Sequence, residues 1–397
     1  MVKRVALIGI GMAEETLTLE GRRALEQAEC VFGAPRMLTL SGAKDKLAEP
    51  IYEAQKIRDR IRTSKEKTFA VLLSGDPGFY SAAEALEREL REFCVSIYPG
   101  ISSVAYFFSK LKRPWQHARL ISAHGREANI VDTVRRHREV FVLTGKNVAD
   151  IAKELLSAGF GELTVHLGEN LGGQEENIQT LTVRELEHVN ASSLSVLLID
   201  HPSADARVRT GIPDEQFIRG EVPMSKAPVR AQVLSRLAIS PADICFDIGA
   251  GTGSVSVEMA LAAYEGRVYA IDRESKALDL VRENARKFHL GNIVSIHGSA
   301  PEVLEDLPAP DVVFIGGSSQ KMLKTIQVCL RKNPSVRLVL SAVAIESIAE
   351  AWEAFESLGI VPEVLQLQSA RSRAAGSMHL MMADNPVFIF SAGGRDG

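Results

Sequence analysis

The sequence predicts an α/β protein of two successive units, and three observations carry that reading. Short apolar runs alternate with longer amphipathic segments along both halves of the 397-residue chain, the pattern of sheets covered by helices. The alternation stops after Asp200: Pro202, Pro213 and Pro223 fall in a stretch without any periodic apolar run. Beyond the break stands Asp247-Ile248-Gly249-Ala250-Gly251-Thr252-Gly253, an acid closing an apolar strand, then glycine at every second turn position, then a helix-like run from Ser254. The expected division is a first domain over 1–202, an exposed linker over 203–224 and a second domain over 225–397, in keeping with ordinary domain sizes.

Taken in order, Val5-Ala6-Leu7-Ile8 reads as a strand stopped by Gly9, and 17–28 as a helix. Strand 69–73, helix 81–90 and strand 95–98 follow, and then strand 140–143, helix 149–158 and strands 163–167 and 194–199. After the break the reading is helix 226–237, strand 243–247, helix 254–263, strand 267–272 and helix 274–288. Strands 293–297 and 311–315, helix 319–331, strand 336–341 and helix 345–358 continue the series. Run length and β-branched content decide between strand and helix throughout. Two last strands, 363–369 and 387–391, follow without a helix between them.

Composition excludes several classes. Hydrophobic residues make up 46% of the chain and charged ones 24%, and the net charge of −4 leaves no electrostatic footprint for nucleic acid. Cys30, Cys94, Cys245 and Cys329 lie far apart, with no C-x-x-C and no histidine at ligand spacing, so they are expected as reduced packing residues, with no metal. No apolar segment reaches signal-peptide or membrane-spanning length, which leads to the expectation of a cytoplasmic protein without a membrane partner.

The glycines of the 247–253 turn let bare backbone approach a small anionic or polar ligand, and the following helix offers unpaired N–H groups. Arg267-Val268-Tyr269-Ala270-Ile271 ends in Asp272, about 20 residues downstream, where a carboxylate can take both hydroxyls of a ribose. A dinucleotide fingerprint would need glycine where Ser254 stands, which disfavours a nicotinamide oxidoreductase. The first half carries loops of its own at strand ends: Gly9-Ile10-Gly11, Gly33-Ala34-Pro35-Arg36, Ser74-Gly75-Asp76-Pro77-Gly78-Phe79-Tyr80 and Pro99-Gly100-Ile101-Ser102-Ser103. Strand ends of an open α/β sheet line one crevice, so these loops are expected to converge.

The Asp-x-Gly-x-Gly-x-Gly turn resembles the first motif of the class I methyltransferases that use S-adenosylmethionine, and the final strand pair resembles their antiparallel seventh strand. The first half is similar to the tetrapyrrole methylases, whose marks are a strand-first Gly-x-Gly, a Gly-Asp-Pro loop and a Pro-Gly-x-Ser-Ser loop. Gly33-Ala34-Pro35-Arg36, Ser122-Ala123-His124-Gly125-Arg126 and Glu169-Asn170-Leu171-Gly172-Gly173 narrow that likeness to members acting on precorrins. Val222-Pro223-Met224-Ser225-Lys226, Gly298-Ser299-Ala300-Pro301-Glu302, Phe314-Ile315-Gly316-Gly317 and Ala370-Arg371-Ser372-Arg373 do the same for the second half. Both halves in this order resemble the fused, decarboxylating precorrin methyltransferases of cobalamin biosynthesis.

The resemblance implies a tetrapyrrole-methylase fold of two α/β subdomains followed by a Rossmann-like class I domain with an antiparallel last strand. It implies two S-adenosylmethionine sites, a homo-oligomer, and a small-molecule tetrapyrrole as partner. The first half is expected to methylate C-5 and the second to methylate C-15 and decarboxylate the C-12 acetate. A cobalt-bearing substrate, or a class I methyltransferase acting on another substrate, stays open. Cofactor residues carried by the likeness are Gly9, Gly75, Asp76, Tyr80, Gly100, Ser102 and Ser103 in the first half. In the second they are Ser225, Asp247, Gly249, Ala250, Gly251, Thr252, Gly253, Asp272, Ser299 and Ala300. Ser299 stands where the family has an aspartate, so Ser299 or the backbone of Ala300 is expected at the adenine edge. Asp247 suits the loop and the cationic end of the cofactor, Asp272 its ribose, and the helix from Ser254 its carboxylate. A polycarboxylate substrate needs local cations, for which Arg371 and Arg373 are the candidates. His124 and His379 lie in motif-rich stretches and are candidate proton carriers, and no catalytic acid is assigned.

Overall fold

The structure is a computed structural model of the chain and describes residues 2–41, 47–124, 129–316 and 321–393. The chain forms two compact units. One comprises Met1–Ala128, Arg138–Ala152 and Glu162–Pro202, and the other Ser203–Gly397 together with Asn129–His137 and Lys153–Gly161.

The first unit opens with β1 (Arg4–Gly9), α1 (Leu19–Gln27), β2 (Cys30–Phe32), α2 (Pro35–Leu40), β3 (Leu47–Glu49) and α3 (Ala54–Thr63). β4 (Thr68–Leu73), α4 (Ala83–Leu90) and β5 (Cys94–Tyr98) complete a parallel sheet of order β3-β2-β4-β1-β5. Val5, Leu7, Phe69 and Val71 face Ile57 and Ile61 on one side, while Ile8, Ala70 and Leu72 meet Leu17 and Leu25 on the other. That alternation is what a sheet covered on both faces requires. α5 (Ser103–Lys110) then leads into β6 (Arg119–Ser122), α6 (Ile130–Arg136), β7 (Glu139–Leu143) and α7 (Val148–Ser157), of which α6 and the second half of α7 are counted with the second unit. β8 (Thr164–Glu169), β9 (Asn177–Thr182), α8 (Val183–Leu186) and β10 (Ser195–Asp200) close a second sheet of order β6-β7-β10-β8-β9. Phe107 and Phe108 of α5 pack with Phe141 and Leu198 of that sheet.

The second unit runs α9 (Ala227–Leu237), β11 (Ile244–Ile248), α10 (Ser254–Ala262), β12 (Arg267–Asp272), α11 (Ser275–Lys287), β13 (Ile293–His297) and β14 (Val312–Ile315). It continues with α12 (Met322–Lys332), β15 (Arg337–Ala342), α13 (Ile345–Ser357), β16 (Glu363–Leu367), β17 (Ala370–Ala375), β18 (Met378–Ala383) and β19 (Val387–Ala392). The start of the helix expected over 319–331 lies partly outside the described residues. Seven strands form one sheet of order β13-β12-β11-β14-β15-β19-β16, parallel except for β19, which runs antiparallel to both β15 and β16. The closing antiparallel pair is therefore present, but a separate hairpin of β17 and β18 intervenes between its strands. The strand order reverses between β11 and β14, which sets their C-terminal ends at a topological switch point. α10 is buried from Ser254 to Leu261, as its apolar, sparsely charged sequence requires.

Two expectations need correction. The stretch 203–224 is not exposed throughout: Val208 is 50% exposed, but Ile212 and Phe217 are buried in the core beside Val233 and Leu237. The cause is electrostatic as well as apolar. Arg230, fully buried, donates to Asp214 at 2.9 Å and to Glu258 at 2.7 Å, and Glu258 in turn accepts from the N–H groups of Gly211 (2.8 Å) and Ile212 (3.0 Å). Interior charges persist only when paired in this way. Cys30, Cys245 and Cys329 are buried, whereas Cys94 is exposed on β5 and packs no core. Among the described residues no helix is long and apolar enough to cross a membrane, and no cluster of metal-ligating side chains occurs.

Candidate active sites

In the second unit the glycine turn hangs between β11 and α10. Gly249 and Ala250 donate to the carbonyl of Ile271 at 2.9 and 3.1 Å, so the turn is tied to the end of β12. Gly251 holds φ +55°, and a Cβ there would stand 2.7 Å from the carbonyl oxygen of Pro223, so only glycine fits. Its N–H donates to Asp272 Oδ2 at 2.9 Å, and Oδ1 of the same carboxylate accepts from Glu274 N at 2.9 Å. Asp272 is thereby fixed at the end of its strand, with lone pairs left for a ligand.

Asp247 is 1% exposed. One carboxylate oxygen accepts from the Ser256 hydroxyl, and Oδ1 has no partner. Burial pushes the carboxyl up to about 7, the Asp272 charge adds to that, and the Ser256 hydrogen bond opposes it. A cavity of about 470 Å³ lies over this turn and is lined by Ser225, Asp247, Gly249, Ala250, Gly251, Asp272, Ser299 and Ala300 among others. Thr252 and Gly253, also expected there, do not line it: Thr252 is buried beneath the turn and Gly253 caps α10. Arg273 and Glu274 just after β12 also line it without any sequence signal, as do Phe314 and Gly316 at the end of β14, which the sequence marked as a motif but gave no site role. The position of β14 beside β11 in the sheet order is what brings that motif to the cavity.

A second cavity, of about 520 Å³, shares Pro223, Met224, Ser225 and Gly316 with the first. Neither Arg371 nor Arg373 lines either cavity. Arg371 pairs with the buried Asp214 at 3.1 Å and approaches Asp384 at 3.8 Å, while Arg373 is exposed on β17. His379 is exposed on β18, and His124 is exposed after β6.

In the first unit the loops after β1, β4 and β5 converge, because these strands are adjacent and parallel, and the Gly33–Arg36 loop after β2 reaches the same end of the sheet beside β4. Gly11 and Gly75 exchange backbone hydrogen bonds at 3.1 Å each. Asp76 joins the loops by accepting from Gly78 N at 2.8 Å and from Gly100 N at 3.1 Å. Gly9 and Gly100 are glycines because their backbones touch: a Cβ on Gly9 would lie 2.8 Å from Gly100 N, and one on Gly100 would collide with Gly75 O. Ser102 caps α5 by accepting from Ala105 N at 3.2 Å, which places Ser103 in its first turn. Tyr80 adopts φ +46° and donates its hydroxyl to the Leu120 carbonyl at 3.1 Å. Arg36, of the loop after β2, donates to Ser74 Oγ at 3.2 Å at the head of the Gly75-Asp76-Pro77 loop.

A glycine turn at a switch point, flanked by a buried acid and a strand-end acid under an antiparallel last strand, defines the second unit as a class I methyltransferase of the S-adenosylmethionine-dependent kind. Residues 216–393 match the precorrin methyltransferase domain, and 4–187 match the tetrapyrrole (corrin/porphyrin) methylases. The chain is 43% identical over 185 residues to a probable cobalt-precorrin-6B C(15)-methyltransferase (decarboxylating) of Pyrobaculum calidifontis, covering 46% of this chain and 95% of the relative. It is 29% identical over 393 residues to the precorrin-6Y C(5,15)-methyltransferase [decarboxylating] of a Sinorhizobium species, covering 94% and 92%. A crystal structure of a precorrin-6Y C5,15-methyltransferase from Geobacter metallireducens aligns with 34% identity and a TM-score of 0.44 over 46% of this chain and 97% of that one. The chain belongs to the precorrin methyltransferases, enzymes that draw on S-adenosylmethionine.

The residues present fit that cofactor. The partnerless oxygen of Asp247 meets the need for a counter-charge to a cation, Asp272 offers a fixed acceptor, and the cavity volume is that of a small-molecule site. When bound, S-adenosylmethionine supplies an activated methyl group for transfer to a nucleophilic carbon.

Proposed function

We propose that this chain is a two-site precorrin-6Y methyltransferase: its first unit methylates C-5, and its second methylates C-15 and decarboxylates the C-12 acetate, giving a precorrin-8-type product. The observation that carries the reading is the Asp247–Asp272 pair facing one cavity across the glycine turn, in a chain whose other half has its own three-loop convergence. In the second unit Asp272 accepts from the ribose hydroxyls, Asp247 faces the cationic end, and Ser299 with the Ala300 backbone borders the adenine. In the first, Gly9, Gly75, Gly100 and Ser102 shape the cofactor site while Asp76 holds its loops together. Methyl transfer to an electron-rich ring carbon is an in-line displacement, so the work of these residues is alignment and exclusion of water. On this reading the protein works in the cytoplasm as a homo-oligomer, with neither nucleic acid nor membrane as partner.

The Pyrobaculum relative is named for a cobalt-precorrin, which supports the cobalt-bearing substrate as the second reading. Calorimetry with S-adenosylhomocysteine should give two equivalents per chain. Turnover of precorrin-6Y should add two methyl groups and remove CO₂ by mass. One equivalent, or methylation without CO₂ loss, would contradict the proposal.

A further inference from the structure

The 520 Å³ cavity beside the glycine turn is built differently from its neighbour. Met224, Val229, Met322, Leu367 and Val387 give it apolar walls, with Ser341, Ser347, Ser369 and Asn385 as neutral polar groups. Its charged lining residues are Lys226 and Asp384. Asp384 is engaged, accepting from Ser369 Oγ at 2.6 Å and facing Arg371 Nε at 3.8 Å. Lys226 has no hydrogen bond or ion pair from its side chain among the described residues, although its backbone carbonyl starts α9. An apolar slot with one uncommitted cation, open at its lip through the 53%-exposed Val343 and continuous with a methyl-donor site, suits a flat, carboxylate-bearing ligand.

We propose that this cavity receives the rim of the tetrapyrrole, with Lys226 gripping a carboxylate arm that does not react; the proposal rests on the methyltransferase reading above. The choice of arm follows from charge. In decarboxylation the bond between the arm carbon and its carboxylate breaks, the bonding pair passes into the macrocycle, CO₂ leaves, and the arm carbon takes a proton from water. A cation against the reacting carboxylate would stabilise the charged ground state that must be lost, whereas the apolar wall favours its departure. Lys226 therefore belongs with a different arm, as an anchor. Arg371, held by Asp214 and Asp384, shapes the base of the hairpin beside the cavity and does not grip the ligand.

The test uses the intact chain and two ligands: uroporphyrin, a stable polycarboxylate macrocycle titrated through its Soret band, and precorrin-6Y, followed by CO₂ release. Lys226→Gln should weaken uroporphyrin binding and raise the KM for CO₂ release about three- to tenfold while kcat stays within about twofold. Lys226→Arg should restore both. Val343→Trp, at an exposed lining position, should block the macrocycle and leave S-adenosylhomocysteine affinity unchanged by calorimetry. Unaltered macrocycle binding in both Lys226→Gln and Val343→Trp overturns the assignment, as does a fall in kcat at constant KM. A wild-type protein that turns over no precorrin brings down the underlying methyltransferase reading, an outcome distinct from unaltered variants.

Discussion

Asp272→Asn tests the cofactor geometry most directly. The native carboxylate accepts Gly251 N–H on one oxygen and Glu274 N–H on the other, each at 2.9 Å, and keeps lone pairs free toward the cavity. Asparagine keeps one acceptor oxygen and turns the other into a donor, so one of those backbone N–H groups loses its partner, and the charge that strengthens a bond to a diol is gone. A hydrogen bond to a charged group contributes roughly 1.5–3 kcal/mol. At about 1.4 kcal/mol per tenfold, affinity at the second site should fall about ten- to a hundredfold. Asp272 is only half-buried, so water can reach the orphaned N–H and the fold should survive. Calorimetry with S-adenosylhomocysteine, with a thermal melt as the folding control, reads this directly: one isotherm should weaken and the other stay. A folded variant with both isotherms intact would refute the role of Asp272.

The buried Asp247 makes stability pH-dependent. Its carboxyl is raised from 3.8 to about 7, so the folded protein keeps a proton that the unfolded chain releases, and ligand-free stability should decline as pH rises from about 4 toward 7 and then level. Thermal melts across that window should show the slope in wild type and a flatter one in Asp247→Asn; equal slopes would count against it. Glu258→Ala leaves the fully buried Arg230 with one acid instead of two and should destabilise the second unit by about 3–5 kcal/mol, read by denaturant unfolding. Gly251→Ala presses on Pro223 and should abolish CO₂ release while methyl gain at C-5 persists, whereas Gly100→Ala should do the reverse by forcing apart the loops of the first unit. Loss of both reactions in either folded variant would mean one shared site. Trypsin should first cut after Arg207 or Arg209 and spare 211–218, because Ile212 and Phe217 are buried there; a first cut within 226–391 would contradict that.

Much of the architecture is legible where the local signal is strong. Apolar runs such as Phe69 to Leu73 and Ile244 to Ile248 are buried on both faces and read as strands from composition alone. The loops could be placed because strand ends converge by topology, so naming the strands located the loops. The β17–β18 hairpin escaped because Met378, Leu380 and Met381 are exposed and no alternation marks a covered face. β2 and β3 span three residues each, too short for a period to register. The stretch around Asp214 reads as linker because what buries it, Arg230 and Glu258, is remote in sequence, and no local pattern announces a charge that is neutralised from afar. The second cavity was invisible for the same reason: its walls come from α9, β15 and the start of β19, and only the sheet order brings them together.

The tie between Glu258 and the N–H groups of Gly211 and Ile212 also sets an order of events during synthesis. Gly211 leaves the ribosome 47 residues before the carboxylate that will hold it, and Asp214 precedes Arg230 by 16. Until α10 has emerged, the segment around 211–218 lacks the charge that fastens it. Once Glu258 arrives, the N–H groups of Gly211 and Ile212 gain their acceptor and the segment is fastened to α10. The stretch 211–218 is thus loose while the chain is being made and becomes part of the core only when a helix that emerges later supplies its acid.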